Sequence, residues 1–185
     1  MRKIASGGAA VASRAKQGLP AMPALPDMPE PDKAHEWLSR LVGRWNAEVE
    51  AYFEPGKPPV RSGGTERVRA IGGFWIVADY KGTFMDRPFT GLLTLGYDSG
   101  TKKYIGSWVG SLDSHLWQYE GTLNASGTIL TLETEGECPT RPGRLSKFRE
   151  TIEFKGKDHR RFISSMLGDD GKWFTSMIID YKRLL

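Results

Sequence analysis

The chain has 185 residues, 39% hydrophobic and 26% charged, which is the length of one domain and the balance of a globular protein with a sizeable core. Its formal net charge of +4 invites a nucleic-acid reading, but Arg2, Lys3, Arg14 and Lys16 are the only charged side chains before Asp27. Taking these four from the 26 basic residues leaves 22, equal to the 22 acidic ones, so the remainder lacks the basic bias of a phosphate-binding domain and nucleic acid is not an expected partner.

No run approaches the roughly 20 apolar residues of a membrane span. Cys138 is the sole cysteine, so no intramolecular disulfide forms and nothing signals an oxidising compartment; the expectation is a cytoplasmic protein. With Pro139 next to it, Cys138 is expected in a loop, and no basic partner can be assigned that would make it a catalytic thiol.

Residues 1–33 read as a tail. Ile4 to Ala12 is rich in small residues between Arg2-Lys3 and Arg14, too weak for a signal peptide. An acid-free stretch bearing Arg, Ser and Ala leaves an organelle transit peptide as the alternative to a disordered extension, which is preferred. Pro20, Pro23, Pro26, Pro29 and Pro31 then favour extended chain and forbid helix, as a linker or a strap on the domain that follows over 34–185.

Ala34 to Val42 places Trp37, Leu38, Leu41 and Val42 at helical spacing, and Gly43 ends that helix. The first strand alternates cleanly, with Trp45, Ala47, Val49, Ala51 and Phe53 on one side and Asn46, Glu48 and Glu50 on the other. A sheet wet on one face favours antiparallel pairing. Nine further strand-like runs follow, from Gly64, Phe74, Phe89, Lys103, His115, Thr128, Ser146, His159 and Trp173. Most are joined by turn sequences such as Gly72-Gly73, which suits a primed hairpin turn. Gly136 to Leu145, carrying Cys138, Pro139, Pro142 and Gly143, reads as a longer loop. No helix-length segment intervenes, so the expected fold is all-β, a ten-stranded antiparallel meander that removes its edges by closing into a barrel. Such a barrel is wide enough to enclose one small ligand.

A glycine, any residue and a tryptophan (Gly43-x-Trp45) entering the first strand, a short helix before it and Arg183 near the end of the last strand resemble the calycin superfamily of lipocalins and fatty-acid-binding proteins. In such a base the indole plugs the barrel while the guanidinium lies on its face and meets carbonyls of the lead-in helix. Leu41-Val42-Gly43-Arg44-Trp45, Gly72-Gly73-Phe74-Trp75, Phe89-Thr90-Gly91 through Gly96-Tyr97-Asp98, Lys103-Tyr104-Ile105 through Trp108, Phe148-Arg149 and Tyr181-Lys182-Arg183 carry a closer likeness. By these stretches, His35 to Arg183 resembles the domain-of-unknown-function 1579 family. The resemblance implies a calycin-like barrel and brings no activity or cofactor. It departs at one point: an acidic residue usual two positions after the tryptophan matched by Trp108 is replaced by Gly110, with Asp113 further on.

Candidate site residues come from strand parity. Tyr104 and Trp108 share one face, and His115, Trp117 and Tyr119 share another; turned inward they line a cavity with π surface and one imidazole, suited to a small apolar or aromatic molecule. The bland reading, preferred at this point, is that the aromatics fill the barrel and His115 bonds a neighbour. Arg149 is the sixth candidate: inward it would grip a ligand carboxylate, whereas outward it would pair with Glu66 or Glu133, the preferred reading. Trp75 and Val77, opposite the apolar row Phe74, Ile76, Ala78 and Tyr80, suggest an outer face covered by the tail or by a second copy in a homodimer. His35, His115 and His159 have no metal-ligand spacing, so no metal is expected. No cofactor is expected either, and a haem would have only His115 to hold it. The expected function is binding of a small apolar molecule. The alternatives are an isomerase- or cyclase-type enzyme using His115 as acid or base, or a structural domain with a filled barrel.

Overall fold

The computed structural model describes residues 28–54, 56–138 and 141–184, with the backbone alone at Arg141 and Pro142. The chain divides into two units at Glu30/Pro31, and the second carries everything below. The tail's behaviour as extension, strap or targeting segment lies outside the described residues.

A seven-residue helix, α1 (Lys33–Ser39), begins at Asp32, whose carboxylate accepts from the backbone N–H of Ala34 and His35, satisfying donors left open at a helix start. It ends earlier than the sequence suggests. Leu41 and Val42 bond back only three residues, to Leu38 and Ser39, a tighter turn that delivers the chain into the first strand.

Ten strands follow in order: β1 (Gly43–Ala51), β2 (Val60–Ile71), β3 (Trp75–Phe84), β4 (Arg87–Asp98), β5 (Lys103–Gly110), β6 (Trp117–Leu123), β7 (Ile129–Cys138), β8 (Arg141–Phe154), β9 (His159–Leu167) and β10 (Trp173–Arg183). Each pairs with its sequence neighbour and β1 closes on β10, giving the expected closed antiparallel barrel. Gly72 and Gly73 both take positive φ, 59° and 80°, while Phe74 N–H bonds Ile71 O. That is the primed turn their lack of Cβ permits.

Two expectations need correction. The stretch Gly136 to Leu145 is not a long loop; β7 runs on to Cys138 and β8 starts at Arg141. Cys138 accordingly ends a strand, buried against Phe148 and Met166. Glycine and proline mark turns on average, but here the inward parity of Leu132 continues through Thr134 and Gly136, and the pairing continues with it.

The closed end is sealed by the helix and the first and last strands. Trp45 is fully buried and its indole N–H donates to Leu41 O at 2.8 Å. The Arg183 guanidinium lies 4.0 Å from the indole centroid and donates to Val42 O and Arg40 O at 2.6 and 3.0 Å. A planar cation on an aromatic face, with its edge donors satisfied by backbone, is the arrangement anticipated from Gly43-x-Trp45 and Arg183. Around it the Trp37 indole reaches Gly127 O, the Tyr104 hydroxyl reaches Ala34 O, and His35 Nε2 lies 3.0 Å from Tyr97 O. The core is continuous from this seal up the inner faces of the strands.

Candidate functional site

Strand alternation puts every second residue inside the barrel. In register across the wall, Leu93 of β4 faces Trp108 of β5, which faces Trp117 of β6. Glycines on neighbouring strands let these indoles lie against the wall. A Cβ on Gly91 would sit 2.1 Å from Trp108, and one on Gly136 would sit 2.4 Å from Trp117. The large rings therefore lie back along the wall instead of projecting into the lumen, and a cavity of about 410 Å³ remains above the seal. Its mouth is formed by Tyr52, Phe53, Phe84, Leu112 and Asp113, all at the end away from α1. Asp113, the acid displaced relative to the resemblance, stands at that mouth, while Gly110 packs close to Phe89.

The six candidate residues separate. Trp108, Trp117 and Tyr119 line the cavity. Tyr104 points inward too, but lower, in the seal: it packs on Trp37 and Tyr97 and its hydroxyl is used on Ala34 O. Burial pushes that hydroxyl up to about 12, helped by the Tyr97 and Asp32 charges. His115 precedes β6, stacks edge-on against Trp117 at 4.8 Å and turns Nε2 toward Glu135 O. It is not among the residues that line the cavity. Arg149 lies on the outer face, 3.1 Å from its cross-strand neighbour Glu133 and over the Trp173 ring at 4.4 Å. Glu66, offered by sequence as its other partner, faces the inside.

Three charged residues on inner faces were missed. Glu66 of β2 pairs with Arg160 of β9, both 5% exposed at the side chain. The Arg160 guanidinium also lies 3.8 Å from the Tyr181 ring and 4.7 Å from Trp45, so this pair forms the cavity floor directly above the seal. Burial raises the Tyr80 and Tyr181 hydroxyls, with the Glu66 charge adding to it.

Glu150 of β8 is the third. It is 5% exposed; Ser164 Oγ donates to its Oε1 at 3.1 Å, and Oε2 has no hydrogen-bond partner. Behind it Ser176 Oγ reaches Ser164 Oγ at 2.9 Å and Ser164 O at 3.2 Å. A register shift between Thr175 and Met177 makes this possible, since a bulge re-aims one side chain and both Ser176 and Met177 line the cavity. Burial lifts the Glu150 carboxyl to about 8, partly offset by the Ser164 bond. Tyr119 is pushed well above its ordinary value by burial and by the Glu150 charge.

A signal for all three was present in the sequence. Glu66 has the parity of Val68, Glu150 that of Phe148 and Ile152, and Arg160 that of Phe162; a charge on the apolar parity of a strand is a buried charge. A wider depression of about 610 Å³ on the outer surface, among Arg44, Thr65, Arg67, Asp79 and Lys81, is bounded largely by polar and charged side chains and offers no enclosed apolar wall.

The family model described as "protein of unknown function (DUF1579)" matches residues 30–183. No curated protein matches the chain. Among solved structures, Rv2717c from M. tuberculosis is similar over 84% of this chain and all of its own, at 14% identity and a TM-score of 0.60, a likeness of fold. A redesigned β-barrel matches 80% of this chain and 94% of its own at 12% identity, with a TM-score of 0.43. No helix among the described residues is long and apolar enough to cross a membrane.

Proposed function

The chain belongs to the DUF1579 family, and within that family we propose that it is a binding protein for one small, flat, largely apolar molecule held inside the barrel. The observation that carries this reading is the cavity itself: about 410 Å³, within the range of small-molecule sites and lined mainly by apolar and aromatic side chains with a few polar groups. Trp108 and Trp117, laid back against Gly91 and Gly136, supply two ring faces for a flat ligand. A filled barrel would have those rings projecting into the lumen.

The test is a fluorescence titration with dimethylaminonaphthalene, an apolar environment-sensitive probe. Saturable binding of one probe per chain with a blue shift is expected, weakened roughly tenfold by Trp117→Ala through loss of ring contact. Absence of saturable binding would overturn the reading. His115 touches the wall residue Trp117 but is not itself among the residues that line the cavity, so the enzyme alternative is not pursued.

A further inference from the structure

The polar groups inside the barrel fall into two sets. Glu66 and Arg160 are paired with each other at the floor. Glu150 has no cation among its hydrogen-bond and ion-pair partners; one oxygen is held by the Ser164–Ser176 hydroxyl chain and the other has no partner. Tyr119, on β6 two strands from β8, lines the same cavity and is close enough for the Glu150 charge to raise its hydroxyl, and that hydroxyl makes no hydrogen bond among the described residues. Buried polar atoms are normally satisfied, and a buried, unpartnered oxygen on a side chain that lines a cavity is where a ligand's polar group completes the set. Resting on the binding reading above, we propose that the ligand carries a neutral hydrogen-bond acceptor, a carbonyl oxygen on a flat apolar frame, which accepts from the Glu150 carboxyl and the Tyr119 hydroxyl.

A carboxylate buried without a cation keeps its proton instead of its charge, and burial lifts the Glu150 carboxyl to about 8. At neutral pH Oε2 then offers an O–H, and the Ser164 hydroxyl needs only Oε1. The titratable and charged groups that face the cavity from the packed strands are Glu66, Tyr80, Tyr119, Arg160 and Tyr181, with Tyr52 and Asp113 at the mouth. The four tyrosines all lie above their ordinary value, so they do not ionise in the window where Glu150 does.

Two naphthalene probes test this on the full chain: propionyl-dimethylaminonaphthalene, a ketone, and dimethylaminonaphthalene, which lacks the carbonyl. The expected result at neutral pH is that the ketone binds about tenfold more tightly, a preference of the size a buried hydrogen bond gives. It fades as pH rises through about 8, because the carboxylate formed repels the carbonyl oxygen. Glu150→Gln keeps an N–H donor, so the preference survives and loses its pH dependence. Glu150→Leu and Tyr119→Phe each reduce it. Equal affinity for the two probes, or a preference unmoved by Glu150→Leu, overturns the carbonyl inference while leaving the binding reading intact. Tighter binding of an ammonium-bearing naphthalene than of the ketone overturns it in favour of a cation on ionised Glu150. If neither naphthalene binds, both proposals fall together.

Discussion

At the base of the barrel the polar groups close on the protein itself. The indole N–H groups of Trp37 and Trp45, the Tyr104 hydroxyl and the Arg183 guanidinium each end on a backbone carbonyl. Above that seal, from the floor upward, the same inner wall carries Arg160 Nε, Glu150 Oε2 and Thr134 Oγ1 without hydrogen-bond partners among the described residues. One sheet thus has a sealed end, where aromatic bulk and satisfied donors give stability, and a part above it where bulk lies back and polar atoms are left open. The difference supports the proposed binding site, since open polar groups beside a cavity are groups a ligand can complete.

The largest expected effect is at the seal. Trp45→Ala removes a fully buried indole that is stacked under Arg183 and should cost ~3–5 kcal/mol in urea unfolding. A cost under 1 kcal/mol would make base and cavity alike in stability. At the floor, Glu66→Leu strands the Arg160 guanidinium and should cost a similar ~3–5 kcal/mol, while Glu66→Leu with Arg160→Met recovers most of it. Both are read from unfolding curves, and a double variant as unstable as the single would show the pair to be worth more than its desolvation.

Inside the cavity the sign reverses. Glu150 has its folded value raised from the ordinary 4.5 to about 8, so the native state holds a proton that the unfolded chain has released. Its contribution is fully present below about 4.5, declines as pH rises, and is gone above about 8. Glu150→Gln should therefore gain several kcal/mol relative to the unsubstituted protein at pH 9 and little at pH 4. Denaturation at the two pH values checks this, and a difference independent of pH would remove Glu150 from the account. The smallest effect belongs to the outer face, where Arg149→Ala should lower stability by no more than ~1 kcal/mol and leave probe affinity unchanged.

The seal was legible because its parts are rare and fixed in place: Gly43-x-Trp45 at one end of the domain and Arg183 at the other. The strands were legible because Trp45, Ala47, Val49 and Ala51 alternate with polar residues, as do Trp117 and Tyr119. The cavity's chemistry was harder to read. Glu66, Glu150 and Arg160 break the apolar parity of their strands, and a lone charge in a strand is by default assigned to solvent. The inward turn of Ser176 depends on the register shift beside it, which follows from pairing with β9 and has no local mark. Whether a cavity remains between aromatic walls also turns on Gly91 and Gly136, which meet Trp108 and Trp117 only across strands.

The most direct test of an open, ligand-completed barrel is native mass spectrometry of the full chain, purified without additives and then mixed with propionyl-dimethylaminonaphthalene. A mass increment of one small molecule per chain is expected, either carried through purification and displaced by the probe or appearing on its addition. A chain that stays bare at saturating probe would show the barrel to be filled by its own side chains.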